Sequence, residues 1–260
     1  MLLLVTDTSG KDGFVGLARA GEGTEPDKVE VIEEVALAGG TFSAQLVPQI
    51  AALLKKHGFR KADIGAFIVV SGPGSFTGLR VGLAAVKALA EILQKPIVSV
   101  SLLEVLARYG HMIAAGGEVI QPVTCRYAVA LDAGRKEAFV GQYEIGLTSK
   151  TSHSFKCLAE SLLDLQSLAK LVESEAVQWI VAPDRAIADA LRERLGAVRE
   201  HAIWDRVERP RSARIAGVGW DKLRTGETVS PEQLEANYMR RSDAEIFGKP
   251  APGSTLRETD

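Results

Sequence analysis

Two distant segments of the chain follow the same pattern of residues. Each has an Asp, a Lys four positions later, an acidic residue directly after that Lys, and then Phe-Val-Gly, starting at Asp7 and at Asp132. Each pattern follows an apolar run, at 2–5 and at 127–131, as expected after a buried strand. Hairpins can resemble one another by chance, but six matching positions in ten favour an internal repeat. We therefore expect two lobes, each opening with a hairpin whose tight turn lies beside an Asp.

The chain is long enough for two lobes and has the composition of a folded protein. Its 260 residues are 46% hydrophobic and 25% charged, which excludes a wholly disordered chain. The net charge of −2 argues against a protein held on nucleic acid or on an anionic membrane by its overall charge. Cys125 and Cys157 form no metal-binding or redox pair, and the amino terminus does not read as an export signal, so we expect a cytoplasmic protein.

Strands and helices alternate along the chain, which predicts an α/β fold with partly parallel sheets. The apolar run at 64–70 is typical of a strand covered on both faces, and a glycine-rich loop connects it to a helix over 79–93. Capping and apolar spacing predict a helix over 43–54. Amphipathic spacing predicts two further helices, over 158–171 and 187–195.

The glycine-rich loop before the helix at 79–93 suits an anion. Glycines after a buried strand expose backbone N–H groups at the positive end of the next helix, and nearby hydroxyl groups can cap that helix or contact an oxyanion. The turn beside each repeated Asp could hold a metal–phosphate group, although Asp in such turns commonly bonds its own backbone. A tight corner that binds nothing is the alternative, and the residues alone leave both open. The candidate phosphate- or nucleotide-binding residues are Asp7, Thr8, Ser9, Gly72, Gly74, Ser75, Thr77, Gly78 and Asp132.

Other sets of catalytic groups are poorly represented in the sequence. The four histidines have no metal-type spacing, and no nucleophile-elbow motif is present. Arginine is frequent over 185–214, but acidic residues alternate with it, which is more typical of a solvated, self-paired face than of a phosphate-binding patch. We therefore assign no catalytic residue and no metal site.

The helices predicted over 43–54 and 79–93 are apolar on almost every face. A helix on one side of a sheet needs only a single apolar stripe, so these two helices need cover on a second side. That cover is either the other lobe of the same chain or a partner protein, and periodicity does not decide between them. The candidate partner-contact residues are Leu46, Ile50, Leu53, Leu54, Leu79, Leu83, Val86 and Leu89.

The segment Ser-Gly-Pro-Gly-Ser-Phe-Thr-Gly-Leu-Arg-Val-Gly at 71–82 resembles the TsaB (YeaZ) family. Its flanks agree: Thr-Asp-Thr-Ser at 6–9, Leu-Asp-Ala-Gly-Arg-Lys-Glu at 131–137, and Tyr-Met-Arg at 238–240, where the family usually has Tyr-Leu-Arg. The resemblance covers nearly the whole chain. It implies an α/β, bilobal actin/sugar-kinase-like (ASKHA) fold with two duplicated lobes, each with a mixed sheet and flanking helices.

We expect this fold to divide the chain into three parts. The amino-terminal lobe spans 1–103 and holds the glycine loop and the partner-binding helices, and the carboxy-terminal lobe spans 104–241. The last helix is expected to pack back on the first lobe. Residues 242–260, which are rich in glycine, proline and charge, are expected to form a disordered tail.

The resemblance also implies a non-catalytic subunit of a tRNA-modifying complex. TsaB-type proteins pair with TsaD, which moves a threonylcarbamoyl group from threonylcarbamoyl-AMP to N6 of adenosine 37 in tRNAs that read codons beginning with A. An ATPase, TsaE, joins them. Two histidines one helical turn apart hold part of the metal site of TsaD, and Leu102 and Leu106 stand at the corresponding positions here. Leucine cannot ligate a metal, so this departure supports a scaffold.

Family members associate through helices of the amino-terminal lobe, either with TsaD or with themselves. The resemblance therefore favours partner contact for the helices at 43–54 and 79–93. It implies a heterodimer with TsaD, a homodimer as the form of the protein alone, tRNA contact only through the complex, and no cofactor beyond a degenerate ATP–Mg site. The alternatives are an ATP-dependent phosphotransferase or ATPase that uses Asp7, Asp132 and the loop at 72–78, and a small nucleic-acid binder that uses the arginine-rich stretch.

Overall fold

The computed structural model describes residues 1–21, 28–114, 123–147, 153–174, 177–196, 203–205 and 207–240. These residues form two five-stranded sheets with flanking helices. The tail predicted at 242–260 and part of the arginine-rich stretch lie outside them. In the described part of the chain, no helix combines the length and the apolarity that crossing a membrane requires.

The first sheet begins with an antiparallel meander of three strands, to which two parallel strands are added. Its strand order is β3-β2-β1-β4-β5, with β4 parallel to β1 and β5 parallel to β4. Helices make the two crossovers between β3, β4 and β5, as parallel connections require. The elements are β1 (Leu2–Asp7), β2 (Gly13–Ala20), β3 (Val29–Leu37), α1 (Phe42–Lys56), a short 3₁₀ helix (Lys61–Asp63), β4 (Ile64–Gly72), α2 (Phe76–Leu93) and β5 (Ile97–Ser101).

The second sheet repeats this topology. Read from its β8 edge, the order is β8-β7-β6-β9-β10, with the same antiparallel and parallel pairings. The duplication and the bilobal α/β fold predicted from the sequence are therefore confirmed. The remaining elements are α3 (Leu102–Ala114), β6 (Val123–Gly134), β7 (Glu137–Leu147), β8 (His153–Asp164), α4 (Leu165–Glu173), β9 (Trp179–Val181), α5 (Arg185–Leu195), β10 (Ile203–Trp204) and α6 (Ser212–Arg224).

The strands near the centre of each sheet are apolar because both of their faces are covered. In β1, Leu2 and Leu4 pack on the side of α1 and α2, while Leu3 and Val5 enter a core between the two sheets. That middle core contains residues of α3, α6 and both sheets, and α4 and α5 cover the outer face of the second sheet. The molecule is thus layered, with α3 and α6 packed between the lobes.

The lobe boundary predicted at 103/104 falls in the first turn of α3, the helix that leads from the first sheet to the second. α3 packs on strands of both sheets, and α6 packs across the first sheet although it follows the second in the chain. In the middle layer, α3 and α6 therefore each contact the lobe that they do not follow directly from. Residues 231–240, here called the C-terminal segment, then return along the first lobe, where the Asn237 backbone N–H donates to the Ser71 carbonyl at 2.8 Å.

The helix predicted over 158–171 is wrong in its first half. Residues 158–164 belong to β8, which pairs with β7 along its length, and the helix α4 begins only at Leu165. Asp164 caps it, because its carboxylate accepts a hydrogen bond from the Ser167 N–H at 2.7 Å. The leucine spacing fits a helix, but pairing with the neighbouring strand overrides that preference.

A single carboxylate joins the two lobes and the C-terminal segment. Glu160 of β8 accepts hydrogen bonds from the Ser101 hydroxyl and the Tyr143 hydroxyl at 2.6 Å each, and from the Asn237 side-chain amide at 2.5 Å. Burial, together with the charge of Glu160, raises the pKa of Tyr143 well above its usual value, so its phenol remains a proton donor. Glu160 therefore holds segments from three parts of the chain at one point.

We expect Glu160→Ala to lower the free energy of unfolding by about 2 kcal/mol, because it leaves three donors without their acceptor. Glu144→Ala on the adjacent strand is the matched control, since that carboxylate pairs with the exposed Arg126 at 2.8 Å and its loss is expected to cost under about 1 kcal/mol. Urea unfolding of the two variants measures the difference. Equal losses of stability would contradict a special role for Glu160.

Candidate functional site: the interlobe cleft and the outer helices

A cleft of about 1210 Å³ lies between the two lobes. It is lined from the first lobe by residues 9–12 and 73–78, from the second lobe by 131–133, and from the C-terminal segment by 237–240. The structure therefore places Ser9, residues 74–78 and Asp132 around one cleft, while Asp7, Thr8 and Gly72 do not line it. Whether this cleft is built for a phosphate depends on what the polar groups around it already bind.

Both repeated Asp residues bond their own turns. Asp7 is only 4% exposed, and its Oδ1 accepts hydrogen bonds from the Ser9 N–H at 2.8 Å and from the Ser9 hydroxyl at 2.6 Å. In the second lobe, Oδ1 of Asp132 accepts from the Gly134 N–H at 2.8 Å. The same two-residue contact in each lobe is an Asx-type turn. The geometry therefore accounts for both Asp residues without a ligand.

The glycine loop is closely packed by the chain itself. A Cβ added at Gly74 or Gly78 would lie 2.1 Å from the carbonyl oxygens of Ser9 and Thr8, respectively. The Ser75 N–H donates to the Ser9 carbonyl at 2.7 Å, while the Ser75 hydroxyl accepts from the Gly78 N–H and caps α2. These glycines thus allow the turn after β1 to lie directly against the start of α2. The capped helix starts at Phe76, three residues earlier than predicted.

Two more predicted residues of the loop have other surroundings. Gly72 has a φ of +139°, in a region that favours glycine, and a Cβ there would lie 2.9 Å from the carbonyl oxygen of Asn237. Thr77 is exposed on the first turn of α2 and lines the cleft. The absence of a side chain at Gly72 therefore allows the C-terminal segment to pack closely there. Thr77 is accessible from the cleft.

Basic side chains surround the cleft more than acidic ones do, but several are used within the chain. Arg209 donates to the Ser9 hydroxyl at 3.4 Å, and Arg240 pairs with Glu137. Lys11 from the first lobe and Arg135 from the second also line the cleft. An anion in the cleft would meet positive charge, yet it would find the glycine loop already occupied by the turn after β1.

The described residues contain no cluster of three or more His, Cys, Asp or Glu side chains able to hold a metal ion. Leu102 and Leu106 are fully buried in the middle core. Metal binding at either position would need a different type of side chain and also an opening in that core. The site chemistry of the described residues is therefore that of packing and hydrogen bonding.

The partner-contact residues predicted on α1 and α2 need a correction. Seven of the eight, all except the partly buried Leu89, are at most 5% exposed. Six of them pack against the first sheet in the core on its outer side, because their spacing places them on the sheet-facing stripe of each helix. These six are Leu46, Ile50, Leu53, Leu54, Leu83 and Val86, and Leu79 is buried near the start of α2.

The opposite face of these two helices is exposed and largely apolar. Val47 of α1 is 49% exposed and Ile92 of α2 is 77% exposed, although they are two of the few large apolar side chains on the surface. Small apolar residues continue this face between them. We call it the α1–α2 face; it contains Ala44, Val47, Pro48, Ala51, Ala52, Ala84, Ala88 and Ile92. The sequence could have identified this face, because it consists of the apolar positions of each helix that remain once the sheet-facing positions are set aside.

Three described arginines of the arginine-rich stretch, Arg185, Arg192 and Arg211, pair with carboxylates. Arg192 binds Asp189 at 3.2 Å and Asp205 at 2.8 Å, and Arg185 binds Asp189 at 3.4 Å. Arg211 reaches Glu34 of the first lobe at 3.5 Å. Arg199 and Arg206 lie outside the described residues. These contacts agree with a solvated, self-paired face.

Comparison with known proteins gives one consistent result. The profile of the family "TsaD: tRNA N6-adenosine threonylcarbamoyltransferase" matches residues 36–246. The "tRNA threonylcarbamoyladenosine biosynthesis protein TsaB" of Bacillus subtilis is 26% identical over 94% of this chain and 96% of its own length. The Escherichia coli protein of the same name is 25% identical over 80% of this chain and 84% of its own. A Pseudomonas aeruginosa crystal structure, described as similar to peptidase YeaZ, superposes with a TM-score of 0.66 at 25% identity, covering 92% of this chain and 99% of that one.

We expect Gly82→Ala in α2 to destabilise the protein by about 1–3 kcal/mol, although alanine normally favours a helix over glycine. A Cβ at this position would lie 2.2 Å from the Thr8 hydroxyl oxygen. Adding Thr8→Ala removes that oxygen and is expected to restore most of the lost stability. Thermal unfolding of the two single variants and the double variant measures the coupling. A Gly82→Ala protein as stable as the wild type would show that the turn does not need this close approach.

Proposed function

Because the chain belongs to the TsaD family and, within it, to the TsaB (YeaZ) group, we propose that it is a partner subunit in the threonylcarbamoyl modification of tRNA. In this proposal a TsaD-type protein carries the active site and transfers the threonylcarbamoyl group to N6 of adenosine 37. This chain binds that protein and organises it, while a TsaE-type ATPase joins the two. tRNA meets the chain only in the assembled complex, in the cytoplasm.

The observation that carries the proposal is the exposed α1–α2 face. Both helices already bury one apolar stripe against the first sheet, so the apolar residues on their other side have no internal use. Val47 is 49% exposed and Ile92 is 77% exposed, and large exposed apolar surfaces mark protein interfaces. Small residues such as Ala84 and Ala88 keep the face flat, so a partner helix can approach closely.

The proposed scaffold role is supported by what the catalytic candidates do. Asp7 and Asp132 each bond their own turn, and Ser9 packs against the glycine loop. Leu102 and Leu106 fill the middle core where a metal-binding relative would need ligands. These observations disfavour the alternative of an ATP-dependent phosphotransferase or ATPase.

The same face provides for self-association when the partner is absent. Arg80 lies near the start of α2 and Glu91 near its end, and both are exposed. If the α2 helices of two copies pack antiparallel, each Arg80 approaches the Glu91 of the other copy. A homodimer of this kind would cover the α1–α2 face until the TsaD-type protein replaces one copy.

We expect Val47→Glu and Ala88→Glu to weaken binding to the TsaD-type protein of the same organism by at least about tenfold, because each places a charge in the interface. Leu158→Glu is the matched control, since Leu158 is 40% exposed on β8 of the other lobe. Purified proteins give the dissociation constants, and circular dichroism checks folding. Leu53→Glu or Val86→Glu would be uninformative, because both side chains belong to the core.

The same variants test the function in cells whose own gene is deleted. The wild type and Leu158→Glu are expected to restore threonylcarbamoyladenosine in tRNA, measured by mass spectrometry of nucleosides, and Val47→Glu and Ala88→Glu are not. Depletion without loss of the modified nucleoside would refute the proposed function. Folded Val47→Glu and Ala88→Glu proteins that bind and complement normally would refute the α1–α2 face as the docking surface.

We expect the purified chain alone to show no steady hydrolysis of ATP in the presence of Mg²⁺. Its repeated Asp residues are engaged with their own turns and the glycine loop is filled from within the chain. Asp132→Asn and, as a control on an exposed helix, Asp189→Asn identify any contaminating activity. Steady turnover that Asp132→Asn abolishes and Asp189→Asn preserves would establish the phosphotransferase alternative.

A further inference from the structure

Three side chains stack at the amino-terminal end of α2, beside the α1–α2 face. The guanidinium carbon of Arg80 lies 3.7 Å from the centre of the Phe76 ring, and the Phe76 and Tyr238 rings are 4.8 Å apart. The Arg80 Nε–H also donates to the Tyr238 hydroxyl at 3.2 Å. Arg80 and Tyr238 are nevertheless exposed, with Tyr238 at 45%. An aromatic and cationic surface is thus built where α2 meets the C-terminal segment.

The position of Tyr238 is fixed from both lobes. Its neighbour Asn237 donates its backbone N–H to Ser71 of the first lobe at 2.8 Å and its side-chain amide to Glu160 of the second at 2.5 Å. Gly72 leaves room for the Asn237 backbone. A side chain held in this way loses little conformational freedom when a partner covers it, which favours binding.

The charge of Arg80 is used differently from that of most other arginines. In the part of the chain that the structure describes, Arg60, Arg108, Arg126 and Arg192 each form an ion pair with a carboxylate, and no carboxylate lies within ion-pair distance of Arg80. Stacking on Phe76 and the bond to Tyr238 fix the guanidinium plane but leave its terminal N–H groups for another acceptor. A planar, fixed guanidinium is suited to binding a carboxylate through two hydrogen bonds.

We propose that Phe76, Arg80 and Tyr238 form an anchor site for an acidic side chain of the TsaD-type partner. This inference rests on the proposed function and extends its docking surface from the α1–α2 face to the C-terminal segment. Because this chain matches the TsaD family profile over a range that includes α2, we expect a TsaD-type partner to have an equivalent helix. Antiparallel packing of the two helices places Arg80 at the carboxy-terminal end of the partner helix, where the helix dipole is negative and where this chain itself has Glu91.

The experiment measures the affinity of the full-length chain for the purified TsaD-type protein. We expect Arg80→Ala and Tyr238→Ala each to raise the dissociation constant about tenfold, as residues at interface anchors do. Arg80→Lys keeps the charge but loses the planar stack, so it is expected to recover only part of the affinity. Arg185→Ala is the matched control, because Arg185 is 92% exposed on α5 of the other lobe, and it is expected to bind as the wild type does.

Salt dependence separates charge recognition from general loss of contact. Between about 0.1 and 1 M NaCl, the wild-type dissociation constant is expected to rise more steeply than that of Arg80→Ala. Folded Arg80→Ala and Tyr238→Ala proteins that bind within about twofold of the wild type, while Val47→Glu and Ala88→Glu do not bind, would overturn this anchor and leave the proposed function intact. Equal salt dependence of the wild type and Arg80→Ala would also overturn it. Normal binding by Val47→Glu and Ala88→Glu would instead refute the docking face itself.

Discussion

The packing of α3 and α6 between the two sheets is the constraint on which the rest of the molecule depends. Each helix follows one sheet in the chain and contacts the other lobe, so the two halves share one apolar core. That core covers the inner faces of both sheets, and two further apolar clusters cover their outer faces, so the central strands are largely apolar. It also leaves α1 and α2 on the outside, with only one of their faces covered. The exposed face proposed for docking follows from this layering.

The polar groups around the cleft between the lobes are largely used within the chain. The positions that would surround a phosphate are still glycines, but their missing side chains admit Thr8 and Ser9 of the same chain. Asp7 and Asp132 likewise retain their places while bonding the backbone two residues on. The turn after β1 packs tightly against the start of α2, and this contact stabilises the first lobe.

Much of the fold was predictable, because the repeated Asp pattern and the two-sided apolar strands each reflect a local physical requirement. The helix over 158–171 was not, since pairing with β7 determines the structure of 158–164 and such pairing leaves no local signal. The site was predicted in part: Ser9, the glycine loop and Asp132 do meet at the cleft. A helix apolar all round does not show which stripe faces the sheet, and most of the residues predicted for partner contact are those that pack on the sheet. Tyr238 lies far from Arg80 in the chain, so only the structure could join them.

The composition of the α1–α2 face determines where its affinity must come from. Burial stabilises a contact by about 25 cal/mol per Å² of apolar surface, so the small side chains of Ala84 and Ala88 contribute little individually. Their value lies in close helix approach, and larger side chains must supply most of the binding energy. Val47 and Ile92 are two such groups within the face, and Tyr238 with Arg80 stands at the end of α2 opposite Ile92. If a partner helix packs on this face, a flat alanine centre with anchors at both ends would also fix its register, because a shift along α2 would separate both anchors from their contacts at once.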